Sequence, residues 1–321
     1  RNGSIQEGWL GDEKPTTWRK AKENIQENIQ EIILVNYKEI IWLASYPKSG
    51  NTWVRLFIEV YLLGKFELNN ILCSVSDDTS TRHGVGDGSD ERSFPIDIQQ
   101  LTRPMALLRL VKMFHKHKPV ESMPLFVKTH NANLIANGIT LLPEQLSKKT
   151  VHIVRDPRDV VLSFSKHVAL SIDETIDYME DKYQVLNNSE SNVLKMSDFL
   201  SSWRKHTQSF LEGDLIGVKT FLYEDMLYDG VKTFCDILDH CEIEPDVGRV
   251  EMAVEMVALS NLRDKEKEEG FLEASPKNKA GFFGKGGSRW RDELMPSQAH
   301  RIKKMAGIYM KKLGYLENKA A

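Results

Sequence analysis

The sequence predicts one α/β domain with a central parallel β-sheet flanked by helices, and three observations carry that prediction. Strand-like apolar segments alternate with helix-period stretches, the pattern of parallel strands joined by crossover helices. The first strand runs straight into a tight turn of residue types suited to phosphate. The chain has 321 residues, 41% hydrophobic and 28% charged, enough to bury one large core.

Residues 15–31 place Trp18, Ile25 and Ile29 at helical spacing, which predicts a polar amphipathic helix. The expected organisation is a helical extension over 1–32 packed on a domain formed by 33–321. Four strands follow: KEIIWLAS ending at Ser45, PLFVKTH at His130, KTVHIVR at Arg155 and LIGVKTFLY at Tyr223. Helices are expected over 228–241 and 296–313, the latter with a core stripe of Ile302, Met305, Ile308 and Leu313. Residues 73–95 and 265–290 are rich in Gly with Ser and Asp or Lys and predict long loops, the second a closing lid. Residues 168–195 are read as a third loop, and 73–95 and 168–195 carry the acids Asp77, Asp78, Asp87, Asp90, Glu91, Asp173, Glu174, Asp177, Glu180 and Asp181.

Net charge is −3, so no basic surface of the kind that nucleic acid requires is expected. The three cysteines, Cys73, Cys235 and Cys241, form no CxxC pair, which predicts reduced thiols, a cytoplasmic setting and no structural zinc. No apolar run of membrane-spanning length occurs and the first residues lack a signal-peptide pattern, so no membrane partner is expected.

Each predicted strand ends in chemically distinctive residues: Lys48 just past the first, Lys128 and His130 on the second, Arg155 on the third, Tyr223 on the fourth. Ligands of open α/β sheets bind beyond the carboxyl ends of strands, so these positions predict one shared site. The alternative is that each is an ordinary solvent-facing strand end. In the first turn, Gly50 lets backbone approach an anion, Lys48 adds a charge, and the helix beginning VRLFIEVYLL turns its amides toward the ligand. The expected fold is thus P-loop-like and nucleotide-binding. The turn still fails the GxxxxGK[ST] pattern, because Lys48 precedes its only glycine.

The run Tyr46-Pro47-Lys48-Ser49-Gly50-Asn51-Thr52-Trp53 resembles the 5′-phosphosulfate loop of sulfotransferases that use 3′-phosphoadenosine-5′-phosphosulfate, PAPS. Arg155-Asp156-Pro157-Arg158 with Ser163 resembles the family's 3′-phosphate element. Here Asp156 suits an N-cap and Pro157 the first helical position. Taken alone, Arg155 could equally pair with Asp156 or Asp159, and Ser163 could bond its own helix. Lys128-Thr129-His130 resembles the motif in which histidine is the general base and lysine helps bind the sulfuryl group. The chemistry agrees, since an alcohol must lose its proton and histidine titrates near neutrality.

The resemblance further implies that Lys48 neutralises the leaving phosphate, that Thr52 and the loop amides of Ser49, Gly50 and Asn51 hold the 5′-phosphate, and that Ser163 restrains Lys48. It places Tyr223 and Trp53 near the adenine, though both could be core aromatics. In the lid, Lys285, Gly286 and Gly287 match the 3′-phosphate run, while Phe283 or Gly284 stands where the family has arginine and Arg289 is the substitute. The family's dimerisation signature is not found after Trp290, leaving oligomeric state open. The cofactor implied is PAPS, with product PAP and no metal. The partner is a small-molecule acceptor, through its hydroxyl or amine. The acidic loops suggest a cationic natural product, such as a saxitoxin-type guanidinium alkaloid sulfated in a tailoring step, against the alternative of a solvated acidic surface. A nucleotide kinase and a non-catalytic nucleotide-binding module are the rivals.

Overall fold

The computed structural model describes residues 40–69, 71, 124–136, 139–142, 144, 147–186, 198–274, 281–284 and 286–316. The predicted extension over 1–32, the acidic loop 73–95 with Cys73, and Lys285 lie outside the described residues. Four parallel strands form the central sheet in the order β2-β1-β5-β8. They are β1 (Ile40–Ser45), β2 (Leu125–Thr129), β5 (Ser147–Val154) and β8 (Val218–Leu222), and they coincide with the four strands expected. Two short antiparallel pairs, β3 (Ile135–Ala136) with β4 (Ile139–Thr140) and β6 (Val185–Leu186) with β7 (Asp198–Phe199), stand outside this sheet.

β1 is buried along its whole length, which explains its unbroken apolar run, since a central parallel strand is covered on both faces. Its alternate residues Ile41 and Leu43, with Val151 and Ile153 of β5, pack under α1 (Asn51–Leu63), α6 (Gly230–His240) and α7 (Val247–Met256). The second core cluster gathers Val160, Val161 and Phe164 of α2 (Pro157–Val168) with Ile176 of α3 (Ile172–Glu180). Trp203 of α4 (Trp203–Leu211) and Ile302 and Ala306 of α10 (Pro296–Lys312) complete it. The remaining helices are α5 (Tyr223–Tyr228), α8 (Leu259–Glu269) and α9 (Trp290–Glu293).

Register positions the site. Ala44 pairs with Thr129, Ser45 with Ile153 and Val154 with Leu222. His130, Arg155 and Tyr223 therefore leave the sheet at the same edge as the turn after Ser45.

Three sequence expectations change. The stretch 168–195 is not all loop: α3 forms inside it, started by a reciprocal Ser171–Glu174 capping box. The 265–290 loop begins only after Glu269, because 265–269 complete α8. Ile308 leaves the α10 core stripe and is 57% exposed, while Ile302 is fully buried. A helix face is set by what packs on it, and a stripe drawn from sequence spacing can extend past its edge. Among the described residues no helix is long and apolar enough to cross a membrane.

Phe57 is fully buried and stacks on Phe234 at 3.9 Å between ring centroids. Phe57→Ala should cost about 3–5 kcal/mol of unfolding free energy through lost contact and a residual cavity, read from the urea midpoint at unchanged slope.

Candidate active site

The turn between β1 and α1 is shaped by backbone conformation. Lys48 has φ 66° and Gly50 φ 107°, both left-handed, which for Lys48 costs on the order of 1 kcal/mol. Asn51 ties the turn to the sheet: its Nδ2 donates to the Leu43 carbonyl at 2.7 Å and to Ser45 Oγ at 3.3 Å. The Gly50 carbonyl accepts from the Trp53 and Val54 amides and so opens α1. The first amides of α1 lack intrahelical partners by helix geometry and present a partial positive charge at the sheet edge. A side chain at Gly50 would put its Cβ 2.7 Å from Tyr223 Cδ2. Glycine is therefore required by both conformation and space.

Four cationic side chains gather here. Lys48 Nζ is buried without a hydrogen bond and lies 3.3 Å from the centroid of the Phe282 ring. Burial, with Lys128 and Arg155 nearby, lowers its pKa to about 7, against the opposing pull of Glu273. Arg155 sits over the Tyr223 ring at 4.2 Å, donates from Nη1 to the Lys48 carbonyl at 3.3 Å, and keeps its buried Nε unpartnered. Lys128 Nζ lies 3.6 Å from Glu273 Oε2. Arg55, two residues past Trp53, is fully buried, and its Nη2 donates to both Glu273 oxygens at 2.8 and 2.7 Å and to Thr52 Oγ1 at 2.9 Å. Thr52 Oγ1 in turn donates to Glu273 Oε2 at 3.3 Å. Burial works against the Glu273 charge, but Arg55 and Lys128 outweigh it and hold the carboxyl far below the usual range.

His130 follows β2, its Nδ1 donating to the Ser45 carbonyl at 2.8 Å. A carbonyl only accepts, so Nδ1 carries the proton and Nε2 keeps the lone pair. Burial, then the Lys128 charge, pushes its pKa well below 6.5, which keeps the ring neutral at pH 7. Buried His152 on β5 is engaged differently: it bonds Thr220 Oγ1 at 3.0 Å and stacks on Phe210. His167, at the end of α2, also feels Lys48 and Lys128 and is lowered to about 4, chiefly by burial.

Asp156 caps α2 by accepting from the Arg158 amide at 2.9 Å, with Pro157 at the first turn. Its carboxylate also pairs with the Arg158 guanidinium at 2.6 Å. Asp159 accepts from the Arg289 and Trp290 amides at 2.8 and 3.1 Å. Neither acid hydrogen-bonds Arg155, although the Asp159 carboxylate feels its charge, and Arg155 reaches the turn through the Lys48 carbonyl. Ser163 is half-buried on α2, and Lys48 Nζ rests on Phe282 rather than on a hydroxyl. Tyr223 is the first residue of α5 rather than the last of β8, 5.8 Å from Trp53 in an edge contact. Trp53 Nε1 donates to the Val257 carbonyl at 2.8 Å, in the core. Gly286 and Gly287 have φ of 72° and 75°, an arrangement that lets backbone turn close to a ligand. Arg289 pairs with Glu293 at 3.0 Å and leaves its Nε unpartnered.

Arg55 and Glu273 were missed by sequence reading. Arg55 and Glu59 are the two charged residues in the otherwise largely apolar run VRLFIEVYLL of α1, and that break was the available signal. Glu273 sits in an acidic, lysine-rich stretch with no feature to single it out. Unpartnered buried polar atoms on Lys48, Ser49, Asn51, Arg55 and Arg155 converge on one helix terminus. The donors among them, on Lys48, Ser49, Arg55 and Arg155, fit a multiply charged, phosphate-bearing ligand, whereas the free atom of Asn51 is the acceptor Oδ1. Among the described residues no group of three His, Cys, Asp or Glu could hold a metal ion.

A parallel sheet whose first strand feeds a turn crowded with buried cations, with a histidine and further cations on neighbouring strand ends, is an arrangement suited to an anionic ligand of the phosphate type. The family comparison is more specific: the sulfotransferase domain model matches residues 38–314, and the chain belongs to that family. Among solved structures, a mouse sulfotransferase, SULT7A1, crystallised with PAP, superposes with TM-score 0.53 at 17% identity, covering 92% of both chains. A retinol dehydratase in complex with retinol and PAP superposes with TM-score 0.57 at 16% identity, covering 89% of this chain and 86% of that one. At such identities the likeness is one of fold. Comparison with curated proteins gives no match.

Gly50→Ala should lower stability by about 1–3 kcal/mol, from the left-handed backbone and the clash with Tyr223. Thermal unfolding checks it, and Gly64→Ala serves as control, where φ is 74° but no atom lies within 4 Å of the added Cβ.

Proposed function

We propose that this enzyme moves the sulfuryl group of PAPS onto a hydroxyl or amine of a small-molecule acceptor. The observation that carries the reading is the juxtaposition of a neutral histidine, its lone pair on Nε2, with a buried cluster of cations at a helix N-terminus. PAPS supplies an activated sulfuryl group whose leaving group is a phosphate. In this reading Lys48, Thr52 and the amides of Ser49, Gly50 and Asn51 hold the 5′-phosphate. Arg155, Ser163, Gly286, Gly287 and Lys285 hold the 3′-phosphate, and Tyr223 and Trp53 border the adenine. His130 Nε2 takes the acceptor proton, Lys128 holds the transferred group, and Lys48 meets the charge developing on the leaving oxygen. Residues 33–321 form the catalytic domain and 1–32 a helical extension. The unpaired thiols of Cys235 and Cys241 support a cytoplasmic setting.

A cationic acceptor, of the saxitoxin-type guanidinium class, rests on fewer acids than the sequence suggested. Asp173 accepts from Gln298 at 3.0 Å, Asp177 and Glu180 pair with Arg301, and Glu174 caps its own helix. Asp173, Asp177 and Glu180 therefore brace α10, and Glu174 its own helix start, rather than greet an acceptor. What supports a cationic acceptor is the acidic run 77–91 and Glu273. Acceptor turnover indifferent to acceptor charge and to Asp→Asn changes in 77–91 would remove it.

Calorimetry with PAP and AMP tests the donor reading: PAP should bind at least tenfold more tightly, a modest expectation for added charge-assisted phosphate contacts of about 1.5–3 kcal/mol each. Equal affinities would overturn it. His130→Ala should lower kcat by roughly 10²–10⁴-fold with PAP affinity kept, and unchanged turnover would reject His130 as the base.

Lys48 sets a pH dependence. Its depressed pKa of about 7 leaves it largely neutral above that pH in the free enzyme, whereas an anion bound beside it favours the charged form. Binding above pH 7 must therefore take up a proton, so PAP affinity should fall with rising pH by up to about tenfold per unit. Titration calorimetry in buffers of different ionisation enthalpy should register the uptake, and Lys48→Met should abolish it.

A further inference from the structure

The Glu273 carboxylate sits on three groups at once: Thr52 Oγ1 at 3.3 Å, Arg55 Nη2 at 2.7 Å and Lys128 Nζ at 3.6 Å, each measured to Oε2. Two of them, Thr52 and Lys128, bracket the junction between the 5′-phosphate and the sulfuryl group under the donor reading, on which this inference rests. We propose that Arg55 is a further ligand of the sulfuryl group and that Glu273 holds that group's place on Arg55 until the donor arrives.

Arg55 is built for such a role. A guanidinium with no exposed surface needs an anion, since an uncompensated buried charge is costly. Its planar fork also suits a group with several oxygens. Only Nη2 is used: Nε and Nη1 are buried without a hydrogen bond, so the present carboxylate leaves part of the fork unfilled. Glu273, by contrast, is not built in. Its side chain is 30% exposed, and it lies on the segment after α8 rather than on a helix or strand. That segment meets the site a second time further on. Phe282 covers Lys48 Nζ, while Glu266 of α8 pins the Phe282 and Phe283 amides at 2.5 and 3.0 Å. A carboxylate and a sulfonate cannot share one set of cations without repulsion, so donor binding must release Glu273 from Arg55 and Lys128. The freed carboxylate then stands beside His130 and the acceptor end of the site.

The discriminating probes are PAPS, which carries the sulfuryl group, and PAP, which lacks it, titrated without acceptor against the full chain. Arg55→Met should weaken PAPS by about tenfold, the order expected for one lost charge-assisted hydrogen bond, and PAP by twofold or less. Glu273→Gln removes the internal competitor and should tighten PAPS severalfold, with a smaller gain for PAP. Because Arg55→Met alone leaves Glu273 without its buried partner, the paired Arg55→Met/Glu273→Met variant is measured alongside it and should retain the selective loss of PAPS. Selective loss in the folded double variant sustains the proposal. Equal loss of both ligands, or no loss of either, would make Arg55 and Glu273 a structural ion pair and overturn it. A wild-type chain that bound neither PAP nor PAPS would instead sink the donor reading itself.

Discussion

The confinement of like charges at one sheet edge governs the rest of this structure. Lys48, Arg55, Lys128 and Arg155 are drawn together by strand ends and a helix start, in surroundings where burial, with Lys128 and Arg155 nearby, brings Lys48 down to about 7. Cations repel more strongly as water is excluded, so the arrangement persists only because anions and rings offset it. Glu273 serves Arg55 and Lys128, the Phe282 face serves Lys48, and the Tyr223 face serves Arg155.

The scaffold meets the demands of that confinement. A fully buried central strand fixes where the turn emerges, and Asn51 locks the turn back onto Leu43. The neighbouring strands are in register, so His130 and Arg155 emerge beside it. The same tether orients His130, because the Ser45 carbonyl that ends β1 accepts the hydrogen bond of its Nδ1–H. On the far side, Asp156 and Asp159 engage Arg158 and the Arg289–Trp290 amides. Arg155 instead hydrogen-bonds the Lys48 carbonyl, with the Asp159 carboxylate near enough to feel its charge.

Much of this was legible in the sequence because it is local. The strand-turn-helix reading of Ile40 to Leu63, the capped start of α2 at Asp156-Pro157 and the four strand ends each follow from residues close together in the chain. Misreadings arose where local signals compete. Residues 172–180 looked like an acidic loop, yet Ser171 and Glu174 form a capping box and Thr175, Ile176 and Met179 supply a buried face. Those acids resembled an acceptor lining until Arg301 and Gln298 of α10 were found against them. Ile308 fits a helical stripe by spacing but lies past the edge of the surface that α10 packs on.

By itself the sequence determined the sheet, the tight turn after β1 and the family, because strand periodicity, turn residues and contiguous motifs are properties of short stretches. Only the tertiary structure decided which charges face one another. The Arg55–Glu273 contact joins residues 218 apart in the chain, and the tautomer of His130 depends on a carbonyl 85 residues away. Electrostatics acts through space, and its sign at a site is set by whichever charges folding brings within a few ångströms, irrespective of their order along the chain.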